Sequence, residues 1–294
     1  MERDLKKDIE EGLYKNKDNI ASLIPYSFEG VSYALQINAS PILRKTIATA
    51  ILKFKYNEEC FEEIFNKIDT DQYSDKNSIS NHEIIRHLVI ENSVFSSKII
   101  NDFYNHHRKN IDLDSGKGIF CISMSRLVTS FKSAVLLLNN GFYIEVSSIY
   151  RLILEQLAWG CYLLQEEDRE KIINNRTQNN VKYLKMVLGD SYGKLYGYLS
   201  SEAHLEPKEI GKYISFTDSE ISIKDRSGKE CEEDTITLIS LLKAYAEVIW
   251  YGMNQIKIME DEKKYYEDWY NVNKYFITYC FKALNGEIKF KVER

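Results

Sequence analysis

The fold is decided by residues 117–165, which read KGIFCISMSRLVTSFKSAVLLLNNGFYIEVSSIYRLILEQLAWGCYLLQ. In the first half, apolar residues recur at steps of three and four, which places them on one stripe of an α-helix. They are Phe120, Met124, Leu127, Phe131, Val135 and Leu138. Asn139-Asn140-Gly141 ends this helix, because Asn-Gly favours a turn, and a second amphipathic helix follows. A short break between two such helices predicts an antiparallel helical hairpin.

The rest of the chain has the same helical character on both sides of this hairpin. Further helices are predicted near residues 1–20, 42–68, 80–105, 168–188, 192–205, 232–260 and 262–284, with a loop around Pro25 and Pro41. Residues 211–228 differ, because Ile221 and Ile223 alternate with polar residues, as is typical of a strand. We therefore predict a mainly α protein, a multi-helix bundle with one small β-hairpin near 211–228.

A polar connector near residues 69–79 is the one candidate domain boundary. It separates a predicted N-terminal helical region, 1–75, from a helical bundle, 76–294, that carries the candidate site. One continuous domain is the alternative. At roughly 100–200 residues per domain, the chain length of 294 residues fits either arrangement.

Composition excludes several classes of protein. With 3 Pro and 13 Gly in 294 residues, a β-sandwich, a collagen-like repeat and a Pro-rich disordered protein are not expected. The net charge of −5 gives no global attraction to nucleic acid or anionic membranes. A local basic patch is the alternative that this charge leaves.

No apolar run approaches the ~18 residues of a membrane span, and the start lacks the apolar core of a signal peptide. Five scattered cysteines fit reduced thiols. We expect a cytoplasmic protein with no membrane partner.

Common metal and phosphate motifs do not fit the sequence. His82 and His87 are five residues apart, whereas a zinc helix needs two His at i and i+4. Gly116-Lys117-Gly118 precedes a predicted helix but lacks the frame of a P-loop. A turn before a helix explains it equally well. We predict neither a metal nor a cofactor.

Arg151 and Glu155 form the first part of a candidate site. They lie at i and i+4, so they face the same side of a helix, and Ser148 lies one turn earlier. The flanking residues are almost all apolar, which indicates a central helix. Charges on such a helix are costly unless they are paired or line a cavity. A structural ion pair and a functional site both remain open.

The second part is a stripe at strict steps of four, formed by Tyr192, Tyr196, Ser200 and His204. Histidine is the side chain most easily used as an acid or base near neutral pH. A helix C-terminus favours its protonated form. The alternative is a capping or hydrogen-bonded structural histidine.

These residues resemble motifs of a large family of bacterial proteins of unknown function. The matching stretches are Leu136-Leu-Leu-Asn-Asn-Gly141, Arg151-x-x-x-Glu155 and Tyr196-Gly-Tyr-Leu-Ser-Ser-Glu-Ala-His204. Many of its members are similar to helical bundles of the HEPN type (higher eukaryotes and prokaryotes nucleotide-binding), several of which are ribonucleases in toxin or anti-phage systems. The usual HEPN signature is Arg followed, after four to six residues, by His, and this sequence lacks it. The resemblance therefore implies a distantly HEPN-like bundle with a composite site of Arg151, Glu155 and His204.

The leading hypothesis is a cytosolic bacterial defence or toxin-like protein that acts on RNA as a metal-independent ribonuclease. In this hypothesis His204 is the general acid/base and Arg151 stabilises the charge on phosphorus. Glu155 orients Arg151 or shares the proton transfer. Substrate is bound by Tyr196, Ser200 and Ser148.

Two hypotheses from other classes stay open. A non-catalytic helical module could bind a partner or a small ligand in the same polar pocket. A self-associating regulator would use an aromatic face made of Tyr265, Trp269, Tyr275 and Tyr279, for which core packing is the simpler explanation. The expected partners are RNA, a second copy of the chain or a protein encoded nearby.

Overall fold

The computed structural model of this chain describes residues 23–28, 31–36, 41–56, 60–67, 81–139, 142–204, 206–207, 214–216, 221–223, 232–256 and 260–288. Its helices are α1 (Pro41–Tyr56), α2 (Phe61–Lys67), α3 (Asn81–His107), α4 (Gly116–Asn139), α5 (Tyr143–Leu163), α6 (Arg169–Asn174), α7 (Val181–Leu188), α8 (Asp190–Ala203), α9 (Glu232–Ile256) and α10 (Glu260–Leu284). A 3-10 turn, Thr177–Asn180, precedes α7. The prediction of a mainly α protein is confirmed.

Helices α4 and α5 form the predicted antiparallel hairpin. All six residues of the α4 stripe are buried. The start of α4 lies beside the end of α5, since a Cβ at Gly116 would be 2.1 Å from the Leu163 carbonyl oxygen. On its other side α4 packs against α3. The apolar stripe that the sequence reveals is therefore the surface around which the bundle is assembled.

Helix α9 completes the core by packing on α3, α4 and α5. It approaches α4 closely at Gly252, where a Cβ would lie 2.2 Å from the ring of Phe120. Tyr245 is fully buried, and its hydroxyl donates to the Met124 carbonyl at 2.7 Å. A large aromatic side chain thus enters the core only because its polar atom has a partner there.

Two short antiparallel strand pairs accompany the helices. Strand β1 (Leu23–Phe28) pairs with β2 (Val31–Gln36), and β3 (Ile214–Phe216) pairs with β4 (Ile221–Ile223). Pro25 therefore lies opposite Ala34 in a strand, where the sequence predicted a loop. A pair of only two strands has marginal stability by itself in water. The fold established here is the helical bundle. Within 211–228 only 214–216 and 221–223 are described, so a hairpin that spans the whole segment stays a prediction.

The N-terminal region differs from its predicted outline. The predicted helix 42–68 is described as two helices, α1 and α2, which pack on each other. Phe54, an apolar residue of α1, is 86% exposed. The predicted helix at 1–20 and the connector at 69–79 lie outside the described residues, and the boundary between 1–75 and 76–294 stays a prediction.

The proposed aromatic face of α10 is not one surface. Trp269 belongs to the core, whereas Tyr265 and Tyr275 are exposed. The residues are four to six positions apart and point in different directions around the helix. Trp269 is therefore covered within the bundle, and self-association through the exposed residues of this set stays a prediction.

Two helices have the length and composition of a membrane span, Gly116–Asn139 and Glu233–Ile256. Both contribute buried residues to the shared core, and the rings of Phe131 and Tyr245 from these two helices lie 5.5 Å apart. A core helix passes the same test, so these features do not establish a membrane.

Candidate functional site

The candidate site lies where α5 and α8 pack against each other. Gly189, with a φ of 90°, ends α7 and starts α8. A positive φ is readily adopted by glycine, and this allows the chain to turn back toward α5. At the other end of α8, the backbone N–H of His204 donates to the Ser200 carbonyl at 3.1 Å. His204 therefore stands at the C-terminal end of α8, facing α5.

Arg151 joins the two predicted parts of the site. Its Nε donates to Glu155 Oε1 at 3.0 Å, and its Nη1 donates to His204 Nε2. The side chains of Arg151 and Glu155 are 16% and 15% exposed. The structure thus brings a histidine into contact with an arginine that precedes it by 53 residues.

Tyr196 is the fourth member of this cluster. Its hydroxyl donates to Glu155 Oε1 at 2.9 Å, so one carboxylate oxygen accepts from both Arg151 and Tyr196. The Tyr196 ring centroid lies 5.5 Å from the guanidinium carbon of Arg151, within cation–π range. These contacts cross-link α5 and α8 at the level of Glu155.

The electrostatics of the cluster keep Tyr196 protonated and Arg151 charged. Burial raises the pKa of Tyr196, and the adjacent Glu155 carboxylate raises it further. Burial acts to lower the pKa of Arg151, but Tyr196 and Glu155 outweigh it and raise that pKa above its ordinary value. Tyr196 is therefore a hydrogen-bond donor and Arg151 a permanent cation at neutral pH.

The Arg151 contact fixes the tautomer of His204. A guanidinium has only donors, so Nε2 of His204 must accept, and the ring proton must lie on Nδ1. A protonated imidazole would have no lone pair for Arg151 and would add a second cation. The C-terminal end of α8 favours a cation, so the helix and the arginine act in opposite directions. In this arrangement His204 Nε2 is an acceptor and Nδ1 is a donor.

Two polar atoms of the cluster lack a hydrogen-bond partner in the described part of the chain. They are Glu155 Oε2, which is not fully buried, and Nδ1 of His204, which is an exposed residue. Glu155 Oε2 is an acceptor, and His204 Nδ1 is a donor in the tautomer above. A ligand at this surface would thus meet an acceptor and a donor on either side of a guanidinium.

The predicted serines lie differently from the charged residues. Ser148 is exposed, and in the described part of the chain neither Ser148 nor Ser200 donates a side-chain hydrogen bond to the cluster. The neighbouring Ser147 is buried, and its hydroxyl donates to Glu202 Oε2 at 2.6 Å. Roles for Ser148 and Ser200 in substrate binding stay predictions.

Glu202 is a buried carboxylate that the sequence interpretation did not include in the site. It accepts from Ser147 and, at 2.7 Å, from the Tyr198 hydroxyl, and it is 8% exposed. The available signal was its place two residues before His204, on a helix whose other face is apolar. Tyr192 instead bonds to the Ser240 carbonyl of α9, away from the cluster.

The other chemical candidates find structural explanations. Cβ atoms at Gly116 and Gly118 would lie 2.1 and 2.3 Å from backbone carbonyl oxygens, so these glycines serve close packing between chain segments. Burial raises the pKa of the thiols of Cys121 and Cys161 to about 12, which leaves them unreactive at neutral pH. The described residues contain no group of three side chains that could hold a metal ion.

Comparison with known proteins gives one match, to a family of uncharacterised function. It covers residues 118–188, about a quarter of the chain. The matched segment spans α5, with Arg151 and Glu155, but ends before Tyr196 and His204. No curated protein and no solved structure matches this chain. Residues 118–188 are thus similar to the Family of unknown function (DUF5677).

Proposed function

We propose that this protein is a metal-independent ribonuclease, a cytosolic bacterial toxin or defence protein, with a composite site of Arg151, Glu155 and His204. One observation carries the proposal: a single guanidinium contacts a carboxylate through Nε and an imidazole through Nη1. Cleavage of a phosphodiester needs positive charge at the phosphate and groups that move protons on both sides of it. These three side chains supply that set.

The proposed reaction starts when a phosphate oxygen replaces His204 Nε2 as the acceptor of the Arg151 Nη1–H bond. The released imidazole takes up a proton from solvent, because the guanidinium no longer needs its lone pair. The single negative charge of the phosphodiester and the Glu155 carboxylate together then balance the two adjacent cations, Arg151 and the His204 imidazolium. Arginine suits this role because its planar donors match phosphate oxygens.

The chemical step moves one proton to Glu155 and one from His204. Glu155 Oε2 accepts the proton of a ribose 2′-hydroxyl, the 2′ oxygen bonds to phosphorus, and the bond from phosphorus to the 5′ oxygen breaks. The His204 imidazolium gives its proton to that 5′ oxygen. The products are a 2′,3′-cyclic phosphate and a 5′-hydroxyl. Exchange with water restores both groups.

The site chemistry selects RNA over DNA in this proposal. The open acceptor at Glu155 Oε2 requires a hydroxyl beside the phosphate, which only ribose provides. Tyr196 holds the Glu155 carboxylate, and Ser200 and Ser148 contact the neighbouring nucleotide.

Cleavage of a labelled RNA oligonucleotide, with a DNA of the same sequence in parallel and EDTA in both, tests the proposal. We expect cyclic-phosphate products from RNA alone. Loss of general acid–base catalysis costs typically 10²–10⁴ in rate, so His204→Ala should lose about 100-fold or more. Arg151→Lys keeps the charge but loses the paired donors and should also be impaired.

Arg126→Ala is the matched control, since Arg126 is an exposed arginine on α4, a helix that contributes no residue to the cluster. It should retain the wild-type rate, with circular dichroism confirming the fold of every variant. Equal cleavage by wild type and His204→Ala, or equal cleavage of RNA and DNA, would refute the proposed mechanism.

A non-catalytic binding module is the second candidate function. It is favoured by the satisfied resting state, in which Arg151 already donates to Glu155 and His204. This candidate predicts that RNA or a small anion binds without being cleaved, and that Arg151→Lys weakens binding. Retention of intact RNA by the wild-type protein in a gel-shift assay would select it over the ribonuclease.

A further inference from the structure

Helices α3 and α10 lie antiparallel along a face defined at both ends by direct contacts. At one end Asn81 Nδ2 donates to the Ala283 carbonyl at 2.8 Å. At the other end His107 Nε2 lies 3.0 Å from Glu262 Oε2. Beside it, the rings of Phe103 and Tyr266 meet edge to face at 5.5 Å. The contact line between the helices therefore runs from Asn81 to His107 on α3.

On α10 the buried side of this interface has a heptad spacing. Six of its buried residues are separated by three and four positions in turn: Tyr266, Trp269, Asn273, Phe276, Cys280 and Ala283. That spacing keeps one seam toward a neighbouring helix. Asn273, in the middle of the seam, is fully buried.

Asn92 and Ser96 hold the corresponding central positions on α3. Asn92 is 11 residues after Asn81, and also 11 residues before Phe103, and 11 residues are about three helical turns. It therefore lies on the α10 face of α3, and Ser96 is one turn further along. Both are midway between the two end contacts, at the level of Trp269 and Asn273. Helix α9 packs on α3 and α10.

Each of these four residues has a buried polar atom without a protein partner. The atoms are Asn92 Oδ1, Ser96 Oγ, Trp269 Nε1 and Asn273 Oδ1. The amide of Asn273 is oriented, since its Nδ2 donates to the Trp269 carbonyl at 2.9 Å. Buried polar groups in folded proteins nearly always have a partner, either protein or ordered water.

We infer that α3 and α10 enclose a binding site for one buried water molecule between these four side chains. Trp269 Nε1 can only donate, the two amide oxygens can only accept, and the Ser96 hydroxyl can donate. A water that accepts from Trp269 and Ser96 and donates to Asn92 and Asn273 satisfies all four atoms. Buried waters typically make two to four such bonds. The site is polar and lies in the core, away from Arg151.

The sign of a stability change tests this inference. If the Ser96 hydroxyl bonds to the water, Ser96→Ala removes a hydrogen bond and raises the unfolding equilibrium constant by about two- to tenfold. If the hydroxyl is unpaired, the same change relieves a desolvation cost. The urea midpoint then rises or stays constant. Ser97→Ala is the control, because the Ser97 hydroxyl donates to the Ser125 carbonyl at 3.0 Å on the α4 side.

A crystal structure of the wild-type protein at better than about 2 Å resolution gives the direct test. The expected result is one solvent peak within hydrogen-bond distance of the four atoms. The urea midpoint should fall for Ser96→Ala, as it should for Ser97→Ala, which loses a known hydrogen bond. The inference is overturned if the four side chains bond directly to each other with no solvent density. A constant or raised midpoint for Ser96→Ala would overturn it as well.

Discussion

The hydroxyl of Tyr196 should be coupled energetically to the carboxylate of Glu155. Tyr196→Phe removes only the oxygen that donates to Glu155 Oε1 at 2.9 Å. Hydrogen bonds to charged groups contribute about 1.5–3 kcal/mol. Because the Glu155 side chain is 15% exposed and retains the Arg151 bond, we expect the lower end, about 1.5 kcal/mol. That is roughly a tenfold larger unfolding constant.

A double-mutant cycle with Glu155→Ala isolates the free energy of the hydrogen bond between Tyr196 and Glu155. Glu155→Ala also breaks the pair with Arg151, so its own cost is larger and is not the quantity of interest. In the Glu155→Ala background, Tyr196→Phe should cost almost nothing, because the acceptor is gone. Urea unfolding followed by circular dichroism at neutral pH measures the four free energies.

Tyr275→Phe is the control for removal of a tyrosine hydroxyl, since Tyr275 is 44% exposed on α10 and should leave the midpoint unchanged. Measurements at distant, independent sites add within about 0.3–0.5 kcal/mol. A coupling energy between Tyr196 and Glu155 below that range would show that the α5–α8 contact does not depend on this bond. The geometric basis of the candidate site would then fail.

Further predictions concern packing and alkaline stability. Gly252→Ala should lower stability by about 1–3 kcal/mol through overpacking, because its Cβ would lie 2.2 Å from the Phe120 ring. Gly197→Ala, a helical position with nothing within 4 Å of the added Cβ, should instead stabilise by about 0.4–1 kcal/mol. Thermal or urea unfolding measures both changes in stability. A Gly252→Ala variant more stable than the wild type would contradict the close contact between Gly252 and Phe120. The pKa of the Cys121 and Cys161 thiols is raised to about 12 in the folded chain, against about 8.5 in the unfolded chain. Their contribution to stability is therefore fully present below about pH 8.5 and is lost as pH rises toward 12. Urea midpoints between pH 7 and 10.5 should fall, and less steeply in a Cys121→Ala, Cys161→Ala variant.

The sequence was most informative where the structure depends on local periodicity. The apolar stripe of α4 predicted six buried positions, and all six are buried. The i, i+4 spacing predicted that Arg151 and Glu155 share a helix face, and they form an ion pair at 3.0 Å. Both results follow from the 3.6-residue turn of the helix, which is the same wherever the helix packs.

Adjacent residues were harder to assign. Ser147 and Ser148 differ by one position, or about 100° around the helix. Ser147 is buried against Glu202, whereas Ser148 is exposed. The rotation of α5 relative to α8 decides between them. Glu202 was overlooked for a related reason, because a carboxylate near a helix end is usually solvated and its burial comes from the neighbouring helix.

By itself the sequence determined the helical class, the hairpin of α4 and α5, and the polar positions along α5 and α8. Only the tertiary structure decided that Arg151 donates to His204, because residues 53 positions apart meet only when packing brings their helices together. That contact also decides which imidazole nitrogen accepts, since a guanidinium has only hydrogen-bond donors. Periodicity is a property of the single helix, whereas hydrogen-bond partners and protonation are properties of the helix pair.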